Sequence, residues 1–405
     1  GLNEVFGPRN APLGIVVQGG MYNGVVRALH RLGLADIYGD SKIPIYVLNV
    51  TYPLIRDEFD QFCVGKGHVL VVEEGQPDFI EQQLGSPDLT KTVPIRPPGF
   101  CTGCPERPIF AAMKLTEQEL GKHQISGDIG CHLFASLPPF EIGGATMGYG
   151  LGPASNAAFD GGGERRAISI LGDGGFWHNG LSSSIGNMVF NKSDSVVVIV
   201  DNYYSAATGG QDVLSSRAHN DTKSTNNPIS KALGGIGVEW IRQIDRTYDV
   251  GRMRDVLRDA LTTDYKGPKV IIASSECMLN KQRREKPQRD LAIHEGQRTS
   301  VPRFGVDPDI CTGDHACIRL SGCPSLSLKK LDDPLRDDPV AHIDQTCVGC
   351  GNCGEVADTA ILCPSFYQVD VVHNPKRHEA WRTRQRNKVI AWLQKRRSAK
   401  RLAFS

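Results

Sequence analysis

Residues 166–180 read "RAISILGDGGFWHNG" and residues 195–210 read "SVVVIVDNYYSAATGG". Each is a short aliphatic run, rich in β-branched residues, that stops abruptly in a polar turn containing glycine. Short apolar runs bounded by turn residues are buried strands. A strand that is apolar throughout is covered on both faces, as in a parallel sheet flanked by helices. In open sheets of that kind, ligands bind beyond the carboxyl ends of the strands, which is where both turns fall.

The two turns lie side by side if their strands are neighbours. Mg²⁺ takes oxygen ligands in octahedral array and shares them between protein and phosphates. The Asp173 carboxylate and the Asn202 amide oxygen can supply two, and a backbone carbonyl just past Asn202, at Tyr204, a third. Gly172, Gly174 and Gly175 leave backbone N–H groups free to face a diphosphate. A Gly-Asp-Gly turn alone is also an ordinary turn. Followed at this spacing by Asn after an apolar strand, it is a thiamine diphosphate motif. The usual pattern ends in two Asn residues; here Asp201 holds the first place, and the metal ligand is the second.

Upstream, "PLGIVVQGG" (12–20), "IPIYVLNVTYP" (43–53) and "HVLVVEEG" (68–75) read as strands, and "MYNGVVRALHRLGLAD" (21–36) has helical periodicity. Alternating strands and helices again argue for a parallel sheet. Prolines make 92–100 an extended linker. "PKVIIASSEC" (268–277) is a further strand, and the polar stretch 281–300 reads as a connector. The expected fold is α/β: two doubly wound parallel-sheet domains, then a cysteine-rich α+β module. The expected boundaries are 1–91, 92–300, 301–372 and a basic helical tail or linker at 373–405.

Seven of the twelve cysteines lie between 311 and 363. "CVGCGNCGEVADTAILCP" supplies Cys347, Cys350, Cys353 and Cys363-Pro364. Three cysteines spaced by two residues wrap three corners of a cubane cluster, and the cysteine before proline ligates the other cluster of a pair. Zinc sites more often use two separated cysteine pairs. "CTGDHACIRLSGCP" repeats the plan with Cys311, Asp314, Cys317 and Cys323-Pro324. Crossed ligation then predicts one 4Fe-4S site from Cys323, Cys347, Cys350 and Cys353. The second, 4Fe-4S or 3Fe-4S, uses Cys311, Cys317 and Cys363, with Asp314 as candidate fourth ligand. Carboxylate binds this soft cluster less tightly than thiolate. The module resembles the two-cluster bacterial ferredoxins.

The 405 residues are 40% hydrophobic and 22% charged, an ordinary globular balance. The net charge of +1 hides a basic end: 376–405 holds eleven Lys or Arg against one Glu. No base-stacking or groove-reading motif accompanies these charges, so nucleic acid is not expected. Trp381, Val389, Trp392 and Leu393 can share one face of a tail helix that docks on an acidic neighbour. The run at 195–200 is too short to span a bilayer. With no secretory signal, a cytoplasmic location and reduced cysteines are expected.

"RPPGFCTGCPERPIFAAMK" (96–114), "GDIGCHLFASLPPFE" (127–141), "ATMGYGLG" (145–152) and the two strand-turn motifs resemble the thiamine domain of indolepyruvate ferredoxin oxidoreductase, large subunit, or of a fused 2-oxoacid:ferredoxin oxidoreductase. Residues 1–91 resemble the transketolase carboxyl-terminal-like domain that precedes it there. The resemblance implies thiamine diphosphate, Mg²⁺ and two iron–sulfur clusters. It places the loops of Cys101, Gly103 and Cys104, of Asp128, Gly130, Cys131 and His132, and of Thr208 and Gly209 around the cofactor. Relatives often carry His where Glu106 stands. Cys63, Cys131 and Cys277 also read as buried structural thiols. The implied reaction oxidises an aryl 2-oxoacid with coenzyme A to an acyl-CoA, passing electrons to ferredoxin. Pyruvate or a branched-chain acid, or an electron carrier with a vestigial thiamine site, are the other readings. Gly1 in place of Met suggests a fragment or split subunit. A pyrimidine-binding domain with the activating Glu, and a gamma-type subunit or domain, would then be partners in an oligomer.

Overall fold

The computed structural model describes residues 3–36, 38–51, 54–73, 80, 99–159, 165–218, 220–331, 333, 336 and 338–402. The chain divides into two compact units, Gly1–Pro97 and Pro98–Ser405. Most of the predicted linker, 92–98, and the 91/92 boundary lie outside the described residues.

In the first unit, strands β1 (Glu4–Phe6), β2 (Leu13–Gln18), β3 (Ile45–Leu48) and β4 (His68–Val72) form a sheet in the order β1-β3-β2-β4. β2 runs parallel to β3 and β4, and β1 is an antiparallel edge. Alternate residues of β2 enter different cores. Ile15 and Val17 pack with Leu29 of helix α1 (Tyr22–Arg31), and Val16 packs with Phe62 of α2 (Arg56–Cys63). The period-2 alternation of a strand therefore meets a helix on each face.

The second unit is built on a six-stranded parallel sheet. Its strands are β5 (Ile125–Gly127), β6 (Ala145–Thr146), β7 (Ile168–Gly172), β8 (Val196–Asp201), β11 (Trp240–Ile244) and β12 (Lys269–Ser274). The order is β11-β12-β8-β7-β5-β6, and all five pairings are parallel. β9 (Tyr204–Ser205) and β10 (Gln211–Asp212) make a small hairpin beyond β8. Val196, Val198 and Val200 pack on one side with α3 (Arg107–Leu120) and α4 (Val250–Thr262). Val197 and Ile199 pack on the other with Phe176, Ile185 and Leu233. The doubly wound α/β reading holds for the described residues of both units.

α3 starts with Pro108 inside its first turn, where a missing N–H costs nothing, and stops at Gly121, whose φ of 81° suits glycine. Residues 281–300 are not simply a connector: α5 (Met278–His294) occupies most of that stretch. It lacks an apolar stripe and carries Pro287 inside, so periodicity gave no helical signal.

The cysteine-rich module is two successive strand–helix–strand units. These are β13 (Thr299–Val306), α6 (Ala316–Ser321) and β14 (Leu326–Lys329), then β15 (Val340–Ile343), α7 (Asn352–Ile361) and β16 (Phe366–His373). β13 pairs with β16 and β14 with β15, both antiparallel, which interlocks the units. α8 (Arg377–Leu402) follows as the basic tail helix. Its Trp381, Val389, Trp392 and Leu393 are exposed, and Glu379 in its first turn pairs with Arg298. Among the described residues no helix is long and apolar enough to cross a membrane.

Ile199 is fully buried and Phe190 is 83% exposed. Ile199→Ala should therefore lower the unfolding free energy by about 2–5 kcal/mol, and Phe190→Ala should change it by no more than about 0.5 kcal/mol. Urea midpoints at constant slope check both; equal effects would contradict the assigned core.

Candidate functional site

β7 and β8 are adjacent, with Gly172 opposite Val200. The turns that follow them open onto one cavity of about 270 Å³. Of the predicted residues, Gly130, Cys131, His132, Gly172, Asp173, Gly174, Gly175, Asn202, Tyr204 and Thr208 line it. Asp173 and Asn202 converge on one donor: the Tyr204 N–H lies 3.1 Å from Asp173 Oδ2 and 3.3 Å from Asn202 Oδ1. Tyr203 turns the chain there with a φ of 69°, a left-handed conformation that costs a bulky residue energy. Asn202 Nδ2 donates to Glu106 Oε1 at 3.1 Å. That bond holds the amide with its oxygen towards the Tyr204 N–H.

The glycines have a steric reason. A Cβ on Gly175 would lie within 2 Å of Asp128 Oδ2, and one on Gly174 would collide with the Tyr149 hydroxyl. Asp128 braces the cavity from below, accepting from the N–H groups of Gly150 (2.9 Å) and Gly172 (3.3 Å). Its Oδ1 also pairs with His132 Nε2 at 2.8 Å, with both side chains buried. Burial pulls the His132 imidazole down, but its bond to Asp128 and the nearby Glu106 outweigh this and raise it. Burial holds Glu106 above the usual carboxyl range, against the lowering effect of His132 and Asn202. Burial and the neighbouring Asp201 push Asp173 well up. Cys131 is pushed up by burial and Glu106.

Other predicted residues fall elsewhere. Cys101 is exposed, and Cys104 is buried beside Glu106 and Arg107; neither lines the cavity. Gly103 faces the cysteine module: a Cβ there would collide with Val348 and crowd Met278. Its carbonyl accepts from Tyr248 Oη at 2.6 Å. Gly209 lies outside the lining, its carbonyl near Arg283. Cys277 is half-buried near Glu106 and Cys101, and Cys63 is half-buried in the first unit. Sequence reasoning did not assign Tyr149 and Ser205, which line the cavity and hydrogen-bond each other at 2.9 Å. The stretch 145–152, part of the resemblance, was the available signal for Tyr149.

In the module, Cys323, Cys347, Cys350 and Cys353 line one cavity together with Thr102 and Gly103. Burial and then Cys323, Cys350 and Cys347 push the Cys353 thiol up. Cys347 Sγ accepts the Gly349 N–H at 3.3 Å. Cys317 is raised to about 11 by burial, Cys311 and Cys363. Cys323 thus lies beside Cys347, Cys350 and Cys353, and Cys363 near Cys311 and Cys317, because each Cys-Pro follows a helix that carries the chain towards the other unit. Asp314 is turned outward: its carboxylate accepts the Ala316 N–H at 2.9 Å and pairs with Arg319 at 3.3 Å. Among the described residues no three His, Cys, Asp or Glu side chains converge tightly enough to hold a single metal ion. A cubane, by contrast, takes its thiolates at separate corners.

Residues 128–273 match the family "Thiamine pyrophosphate enzyme, C-terminal TPP binding domain". The chain therefore carries a domain of the thiamine diphosphate enzymes, on the sheet whose turns form the cavity. Over nearly its whole length it is similar to curated proteins named indolepyruvate oxidoreductase subunit IorA. The protein of Methanothermobacter thermautotrophicus is 26% identical over 90% of this chain and 62% of its own. That of Archaeoglobus fulgidus is 29% identical over 83% of this chain and 50% of its own. The resemblance read from the motifs holds, and the chain spans about three fifths or less of these relatives. A solved structure of 2-oxoglutarate:ferredoxin oxidoreductase from Magnetococcus marinus matches 45% of this chain and 65% of its own at 18% identity and a TM-score of 0.39, too distant to add to the fold.

The His132–Asp128 pair gives a pH test. A raised imidazole stabilises the fold fully below about pH 6.5, and loses that contribution as pH rises through its higher folded value. The Tm of the parent should fall towards that of His132→Gln as pH rises above about 6.5. A constant difference in Tm would contradict the pairing.

Proposed function

We propose that this chain is the thiamine-binding and electron-relay part of a 2-oxoacid:ferredoxin oxidoreductase of the indolepyruvate type. The observation that carries the reading is one short loop that reaches both cavities. Thr102 and Gly103 line the cavity of the four cysteines, and Glu106, three residues on, lines the cavity of Asp173 and Asn202. A thiamine enzyme that merely decarboxylates has no use for an adjoining redox centre. One that oxidises its substrate does.

The residues fit the groups. Asp173 and Asn202 would hold Mg²⁺ and through it the diphosphate, with Gly174 and Gly175 admitting the phosphates closely. Thiamine diphosphate, when bound, supplies an electron sink for loss of CO₂ from a 2-oxoacid. Glu106 fixes the Asn202 amide by accepting at Oε1, and its Oε2 is buried with no hydrogen-bond partner among the described residues. Burial raises Glu106, which favours its protonated form. His132 keeps its Nε2 on Asp128, and with it the loop that carries Cys131. Cys323, Cys347, Cys350 and Cys353 would hold a 4Fe-4S cluster, and Cys311, Cys317 and Cys363 a second, three- or four-iron cluster. With Asp314 on Arg319, the second site is better suited to three irons or one labile corner.

The resulting activity is oxidation of an aryl 2-oxoacid with coenzyme A to an acyl-CoA, with ferredoxin as acceptor. A pyrimidine-binding domain and a gamma-type subunit or domain would complete the enzyme, as the resemblance implies. The expected yield of anaerobic reconstitution is about seven or eight iron per chain. Iron uptake with no thiamine diphosphate binding, even with the pyrimidine-binding domain supplied, would favour a plain electron carrier.

Two variants test the parts. Glu106→Ala frees the Asn202 amide and should weaken Mg²⁺-dependent thiamine diphosphate binding roughly 10–100-fold by calorimetry; Glu106→Gln, which can still accept at Oε1, should stay near the parent. Cys323→Ser should perturb the electron paramagnetic resonance signal of the cluster held by Cys347, Cys350 and Cys353, and leave that of Cys311, Cys317 and Cys363 unchanged. The opposite pattern would reject crossed ligation.

A further inference from the structure

Arg107 is fully buried, the largest side chain among the described residues to be so. It opens α3, directly after Glu106. One nitrogen, Nη1, donates to the carbonyl of Ser321 at 2.9 Å. Nε and Nη2 have no hydrogen-bond partner among the described residues. A guanidinium stays protonated at any working pH, so this is a permanent charge inside the fold. Buried charges are normally paired, because an unpaired ion away from water is strongly disfavoured. Arg107 forms no ion pair with a carboxylate among the described residues.

Its surroundings show what would balance it. The groups whose negative forms act most on Arg107 are the thiols of Cys323, Cys104 and Cys350. Burial opposes the charge, and these neighbours outweigh it. Two of the three belong to the four-cysteine cavity. Cys350 in turn senses Arg107 as a neighbouring positive charge. The carbonyl that Arg107 holds belongs to Ser321, two residues before Cys323. The side chain therefore reaches from the first turn of α3 to the chain just before Cys323, beside the thiols of the cysteine cavity.

We propose that Arg107 is the buried counter-charge of the cluster held by Cys323, Cys347, Cys350 and Cys353, and that it sets that cluster's reduction potential. This inference rests on the iron–sulfur reading of that cavity. Four thiolates around a [4Fe-4S]²⁺ core carry a net charge of −2; uptake of one electron, without a proton, makes it −3. A fixed cation beside the sulfurs stabilises the more negative state and raises the potential. The two free nitrogens can add N–H···S hydrogen bonds, which act in the same direction. Arg107 thereby favours the cluster nearest the thiamine cavity as first electron acceptor. It takes no part in the chemistry itself and works through the cluster.

The test compares the anaerobically reconstituted 405-residue chain with Arg107→Met and Arg107→Lys. Each is titrated with dithionite while both clusters are followed by electron paramagnetic resonance, and iron and sulfide are counted. In Arg107→Met the midpoint of the Cys323-containing cluster should fall by at least 59 mV, a tenfold change in the reduced-to-oxidised ratio for one electron. The Cys311-containing cluster should not move. Arg107→Lys keeps the charge and should retain most of the parent potential. A midpoint in Arg107→Met equal to the parent, with iron content intact, overturns the proposal. If Arg107→Met assembles no cluster, Arg107→Lys decides: restored iron binding at the parent potential supports the counter-charge. A folded Lys variant without the cluster, or at a much lower potential, overturns it. A parent chain that builds no cluster on Cys323 fails earlier, in its iron count, and overturns the underlying reading as well.

Discussion

Parallel pairing of β7 with β8 is the constraint on which the rest of the second unit depends. The register sets Gly172 opposite Val200, so Asp173 and Asn202 leave the sheet edge a residue apart in height and meet at the Tyr204 N–H. A slip of one residue would reverse every side chain of one strand, moving Val197 and Ile199 out of one core and into the other. The two cores therefore enforce the geometry of the site. The close approach of Asp128 and Tyr149 then excludes any side chain at positions 174 and 175. The cavity is a consequence of sheet register plus two glycines.

The cysteine module depends on a different constraint, its interlocked topology. β13 and β16 pair with each other, as do β14 and β15. Each helix thus delivers its terminal cysteine to the opposite loop. This explains why Cys323 lies among Cys347, Cys350 and Cys353 although it is distant from them in sequence. The same module presses on the 101–107 loop: Ser325 Oγ reaches Thr102 Oγ1 at 3.5 Å, and Gly103 is held against Val348. Three residues separate Thr102 from Glu106, four Cα steps and a span of at most about 14 Å. The loop is short enough to couple the two cavities directly.

Much of this was legible in the sequence because it was carried by local signals. Apolar runs ending in Gly-Asp-Gly and Asp-Asn turns gave the strands and the cavity, and cysteine spacing gave the two sets. Arg107 was not legible. Nothing local distinguishes it from a surface arginine at a helix start, and its burial arises from contact with Ser321 over 200 residues away. Tyr149 and Ser205 join the cavity only through a contact between separate loops. α5 was missed because a polar, exposed helix has no apolar period. Asp314 read as a ligand by position, yet its place just before α6 lets its carboxylate accept the Ala316 N–H and pair with Arg319. A short carboxylate at a helix start has strong local partners of its own.

The central claim is that a metal-dependent cofactor site and a thiolate cluster share the 101–107 loop. Replacing Mg²⁺ by paramagnetic Mn²⁺ together with thiamine diphosphate, and measuring spin relaxation of the reduced clusters by electron paramagnetic resonance, tests this directly. The expected result is faster relaxation of the Cys323-containing cluster on Mn²⁺ binding, lost in Asp173→Ala, with a smaller effect on the Cys311-containing cluster. Mn²⁺ bound with thiamine diphosphate but leaving the relaxation of both clusters unchanged would contradict it.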